Sequence, residues 1–128
     1  MATLQGAASV LFSKNLKKIL VITEDETNQD YGKEAGMLSI PMGAIKPKEK
    51  PERTATREFL EETGYDVRVL RPLGVFPTTG AEVSAYIIEP ANGFRKISEG
   101  ELKSSWISLE ALMSHPFVRP PTKEIVLS

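Results

Sequence analysis

Apolar positions along this chain fall into short runs, not long periodic blocks. Gly6 to Phe12 (GAASVLF) and Lys18 to Thr23 (KILVIT) are β-prone stretches separated by the polar Ser13-Lys14-Asn15, and this predicts a hairpin. Glu24 to Gly36 has no periodicity and almost no apolar content, so it reads as a long loop, a length often associated with function in a small domain. The stretch MLSIPMG then turns through Pro41 and Gly43 into a Lys-rich segment, and a helix is predicted from Pro51 to a stop at Gly64. Beyond it VRVL and LGVF, broken at Pro72, then VSAYII and LKSSWIS, read as strands separated by PTTG and PANG turns. Ser108 is placed to cap a short helix, LEALM, ending before Pro116, and a last short helix is expected from Pro121 to Leu127.

On the predicted helix Glu58, Glu61 and Glu62 stand at i, i+3 and i+4, which puts three carboxylates on one face. Ala55, Phe59 and Leu60 fall towards the other side, available to pack on a sheet while the glutamates point outward. As pure structure the acidic face is a poor choice. Like charges at these spacings repel, and Glu61 and Glu62 occupy the last turn, where the helix dipole disfavours negative charge by about 0.3–1 kcal/mol each. A divalent cation such as Mg²⁺ or Mn²⁺ removes both penalties, whereas the alternative reading is an ordinary solvated, Gly-capped helix.

Composition narrows the chemistry. The 128 residues, 41% hydrophobic and 26% charged, suit one globular domain spanning 1–128, and the absence of Cys excludes disulfides, thiolate zinc sites and cysteine nucleophiles. A net charge of −1 gives no footprint for a long nucleic acid. With no apolar run near membrane-spanning length and no leader-like N-terminus, a cytoplasmic protein with no membrane partner is the default expectation.

The longer pattern, GAIKPKEKPERTATREFLEETGY from Gly43 to Tyr65, resembles the Nudix box, G-x5-E-x7-R-E-U-x-E-E-x-G-U, at all seven fixed identities. Chance occurrence in a chain of ordinary composition is on the order of 10⁻⁶. Departures lie outside the chemical groups: Met42 replaces a Gly in the preceding turn, Lys48 stands where Gly often precedes the motif Glu, and Phe59 and Tyr65 fill bulky positions with aromatics.

The resemblance implies an α/β fold, an α/β/α sandwich around a mixed β-sheet with the box as a loop–helix–loop. It also implies a metal-dependent pyrophosphohydrolase acting on a nucleoside diphosphate linked to another moiety: a nucleotide-sugar, a dinucleoside polyphosphate or a nucleoside triphosphate. By the same likeness Mg²⁺ or Mn²⁺ would be held by Glu58, Glu61, Glu62 and the Gly43 carbonyl. Arg57 would fix Glu49 or Glu58 through a bidentate pair, and Glu58 or Glu61 would act as base. Several members recruit a downstream acid, for which Glu101 is the first choice and Glu99 the second. Tyr31, Phe76 and Tyr86 are candidates to stack on a base, and His115 reads as a surface or capping residue. The rival expectation is a non-catalytic nucleotide-binding or regulatory module on the same fold; substrate identity and a homodimer are left open.

Overall fold

The computed structural model describes residues 4–128. Its elements in chain order are β1 (Leu4–Leu11), β2 (Lys18–Thr23), β3 (Leu38–Ser39), β4 (Met42–Ala44), α1 (Pro51–Thr63), β5 (Val67–Thr78), β6 (Ala81–Pro90), β7 (Ser104–Ser108), α2 (Leu109–Ser114) and α3 (Thr122–Leu127). The strands form two sheets. A four-stranded mixed sheet has the order β4-β1-β6-β5, with β1 and β6 parallel and the other pairs antiparallel, and a three-stranded antiparallel sheet has the order β3-β2-β7.

The expected β1–β2 hairpin is therefore only a corner. Ser13 N–H donates to the Lys18 carbonyl at 2.8 Å and one bridge joins Phe12 to Ile19, after which each strand finds its partners in a different sheet. β1 is buried on both faces, which is why it reads as a continuous apolar run without alternation. Ala7 and Leu11 face α1 together with Phe59, Ala55, Tyr86 and Ile88. Ala8 and Val10 face the opposite layer, where Leu112 of α2 and Ile125 of α3 pack with Ile19, Val21 and Ile40. This is the α/β/α layering expected, with α1 on one side and α2 and α3 on the other.

The break expected at Pro72 does not occur. β5 runs through it because β5 is the edge of its sheet, where a proline is tolerated, and the chain absorbs the irregularity as register shifts at Val69/Arg71 and Pro72/Gly74. Ser108 Oγ accepts from Ala111 N–H at 3.1 Å, so the predicted cap of α2 is formed. No helix among the described residues is long and apolar enough to cross a membrane.

Candidate active site

Local sequence sets both ends of α1. Pro51 takes the first helical position without losing a bond, and Lys50 before it offers no side-chain cap. Glu49 and Thr54 organise the entrance instead: Thr54 Oγ1 donates to Glu49 Oε1 at 2.6 Å, and Lys46 N–H donates to the same oxygen at 3.3 Å. Lys48, at φ +66°, sits in the left-handed region, and that explains why a glycine suits this position in the box.

At the other end Gly64 is left-handed at φ +85°, and a Cβ there would strike the Ser98 carbonyl. The close approach lets the 97–102 segment close the helix. Ile97, Glu101 and Leu102 N–H groups donate to the carbonyls of Gly64, Glu61 and Glu62 at 2.8, 2.8 and 3.1 Å. Those donors meet the negative end of the helix dipole, so two glutamates in the last turn are less costly than the isolated helix suggests.

Arg57 binds Glu49 bidentately, Nε to Oε2 at 2.7 Å and Nη2 to Oε1 at 2.9 Å. Its Nη1 donates to Glu58 Oε1 at 2.9 Å and to Glu61 at 3.2 and 3.3 Å. Hydrogen bonds from Arg57 and then Thr54 hold the Glu49 carboxyl down to about 2, and Glu49 in turn raises the already high basicity of the guanidinium. One arginine thus ties the loop before α1 to two acids on the helix.

The outward orientation expected for all three glutamates fails at Glu62. Its residue is only 7% exposed, while Glu61 stays at the rim with a side chain 40% exposed. The reason is tertiary: β4, the 24–26 segment and the 97–102 segment close over that part of the acidic face. Burial first, and then a hydrogen bond and charge repulsion from Glu58, push the Glu62 carboxyl far above the usual carboxylate range. Phe59 and Ala55 are buried as expected, whereas Leu60 is only half-buried and lines a shallow surface cleft with Arg53 and Arg57.

Glu58 and Glu62 open onto a cleft of about 370 Å³ whose wall also includes Gly43, Glu101, Glu24 and Lys33. A Cβ at Gly43 would overlap the Glu58 carboxyl, so a larger residue there would have to displace that side chain. Glu101 reaches the cleft, and its carboxylate carries no ion pair among the described residues; Glu99 is not part of the wall. Glu61 does not line the cleft but leans on Arg57. Among the described residues no three acidic side chains converge into a ready-made metal cage.

Several wall residues escaped the sequence reading, among them Lys33, Glu24 and Arg119. Glu24, 5% exposed, pairs with Arg119 at 2.7 Å across 95 positions. The signal for Glu24 was an acid directly after an apolar strand, and nothing local marks Arg119. Of the candidate stacking residues, Tyr31 lines a second cavity beside the cleft. Phe76 packs against the core, and the Tyr86 hydroxyl donates to Glu52 at 3.2 Å. His115 accepts from Phe117 N–H at 3.1 Å, in keeping with a capping role.

Comparison with known proteins agrees with this geometry. A Bacillus subtilis (strain 168) protein described as a candidate 8-oxo-dGTP diphosphatase is 31% identical over 72 residues, 56% of this chain but only 42% of that relative's own length. The structure of a NUDIX hydrolase from Nitrosomonas europaea superposes with a TM-score of 0.74 at 20% identity, covering 98% of this chain and 87% of the other. That of an ADP-ribose pyrophosphatase from Streptococcus suis 89-1591 gives 0.72 at 18% identity, with 98% and 89% covered. Such identities establish the shared fold. A family model for the NUDIX domain matches residues 3–127, and the chain accordingly belongs to the NUDIX domain family.

Proposed function

We propose that residues 1–128 act as one domain that hydrolyses a diphosphate linkage in a small nucleotide derivative with the help of Mg²⁺ or Mn²⁺. The observation that carries this reading is that Glu58, Glu62, Glu24 and Glu101 line one cleft beside Gly43. With Glu58 and then Glu24 facing it, the buried Glu62 carboxyl is held protonated unless something positive takes the place of the proton. The donors are all oxygen, which suits a hard divalent cation. Glu58, Glu62 and the Gly43 carbonyl, on the cleft wall, would hold it, and Glu61 would join them on releasing Arg57. When bound, such an ion neutralises phosphate charge and acidifies water.

The chain's own groups supply the rest. Arg57 fixes the Glu58 carboxylate at the cleft edge and restrains Glu61. Glu101, unpaired at the mouth, or Glu58 takes the proton from the attacking water. Lys33, on the cleft wall, meets the negative charge that develops on the leaving phosphate.

The test is turnover of nucleoside triphosphates, nucleotide-sugars and dinucleoside polyphosphates with each metal, followed by phosphorus NMR, with ¹⁸O-water locating the phosphorus attacked. Metal-dependent release of a nucleoside monophosphate is the expected result. Absence of turnover across the panel by a folded protein that still binds nucleotide would select the non-catalytic module instead.

A further inference from the structure

At the end of β1 away from the acidic cleft the surface carries a separate groove. β1 pairs with β4 at Ala7 and Gly43 beside the cleft and reaches Leu11 in the groove wall, about 13 Å along the strand. The groove has a volume of about 290 Å³ and a mainly apolar lining that includes Phe12, Leu16, Leu70, Ile87 and Phe94. Two of these face water, Leu16 at 68% exposed and Leu70 at 56%.

Leu16 is placed there against its own preferences. It stands at φ +61° in the corner between β1 and β2, in the left-handed region that favours Gly or Asn. The corner is tightly built: Leu16 N–H donates to the Ser13 carbonyl at 2.9 Å, Lys17 N–H to Asn15 Oδ1 at 3.1 Å and Lys18 N–H to Ser13 Oγ at 3.1 Å. Phe94 is held as well, its ring 6.1 Å from that of Trp106, with Lys14 Nζ 5.7 Å from its centroid. A leucine that is strained and exposed does little for folding, and paired with Leu70 on one groove it fits a contact with something outside the chain.

The charge around this groove is the reverse of that in the cleft. Lys14, Lys17, Arg71, Arg95 and Lys96 belong to the lining or adjoin it in sequence, are exposed, and form no ion pair among the described residues. The one carboxylate of the lining, Glu89, is taken by Arg68 at 2.8 Å. In a chain whose net charge is −1, this end is therefore locally basic.

We propose that the groove docks an acidic peptide segment of a protein partner, with an aliphatic or aromatic side chain seated against Leu16 and Leu70 and its carboxylates on the surrounding cations. A concave apolar site suits one anchoring side chain better than a flat bilayer, which would meet the rim and leave the floor empty. Addition of a strand to β5 is a poorer fit, since Pro72, Pro77 and two register shifts blunt that edge. Docking here is independent of what the acidic cleft hydrolyses.

The test is selection from a randomised peptide library displayed on phage against the intact chain, followed by fluorescence anisotropy of the enriched peptide. Enriched sequences should place Asp or Glu around a Leu, Ile or Phe, and raising salt from about 0.05 to about 0.3 M should weaken binding about tenfold. Leu70→Ser and Arg71→Glu should each lower affinity by about tenfold or more with the circular dichroism spectrum unchanged. Leu16→Gly should weaken peptide binding yet raise the melting temperature, opposite signs that a purely structural leucine would not give. An enriched set without acidic residues, or affinity untouched by Leu70→Ser and Arg71→Glu, overturns the proposal. So does sedimentation of the unliganded chain as a dimer that Leu70→Ser dissociates, which would make a second copy the occupant. Binding to phosphatidylserine vesicles that Arg71→Glu abolishes, with no peptide enriched, would assign the surface to a membrane instead.

Discussion

Replacing Glu62 by Gln should make the metal-free protein more stable and the working protein worse. The Glu62 carboxyl keeps its proton when folded, because burial and the neighbouring Glu58 raise its affinity for it, whereas in the unfolded chain it titrates near the ordinary value of 4.5. A raised carboxyl contributes its full stability below that value and loses it as pH rises. Each pH unit above it costs about 1.4 kcal/mol, so at pH 7 the ceiling is about 3 kcal/mol. Proton sharing and local rearrangement reduce this, and about 1–3 kcal/mol is the expected gain for Glu62→Gln, a rise in Tm of roughly 4–12 °C for a domain of this size. A thermal melt by circular dichroism in EDTA at pH 5 and pH 8 measures it, with the gain larger at pH 8. Repeating the melt with Mn²⁺ should raise the Tm of the wild type and leave Glu62→Gln nearly unchanged, while hydrolysis by the variant collapses. A variant less stable than wild type at pH 8 in EDTA, or one stabilised by Mn²⁺ as strongly as wild type, would refute the reasoning.

Glu49 carries the opposite sign: its carboxyl is held down to about 2, so its contribution is present above about pH 4.5 and disappears as pH falls towards 2, an acid limb that Arg57→Met should flatten in urea titrations. Phe59→Ala empties a site that is 0% exposed between α1 and the mixed sheet, and should cost about 3–5 kcal/mol in urea denaturation; a loss under 1 kcal/mol would contradict the packing. Gly43→Ala displaces the Glu58 carboxyl and should lower kcat by more than about tenfold while the circular dichroism spectrum is retained. Lys48→Gly relieves a left-handed residue and should stabilise by about 0.5–1 kcal/mol in the same urea assay, with no change in kcat.

The parts of this protein legible in one dimension are those governed by short-range geometry. Pro51 and Gly64 bound α1 because backbone conformation is a property of the residue itself, and the 3.6-residue period alone aligns Glu58, Glu61 and Glu62. Arg57 could be matched to Glu49 and Glu58 from the box because all three lie on or just before one helix. Strand pairing is different. An apolar run announces that β1 is buried, yet says nothing of which strands lie beside it. The corner at Ser13 therefore looked like a hairpin, although β1 and β2 enter different sheets. Pro72 looked like a break because edge position, which makes it harmless, belongs to the sheet and not to the strand. The burial of Glu62 and the pairing of Glu24 with Arg119 depend on segments far apart in the chain closing over one face of α1. The helix periodicity could say which carboxylates face one way; whether that direction was water or a closed cleft depended on what the rest of the chain packed against it.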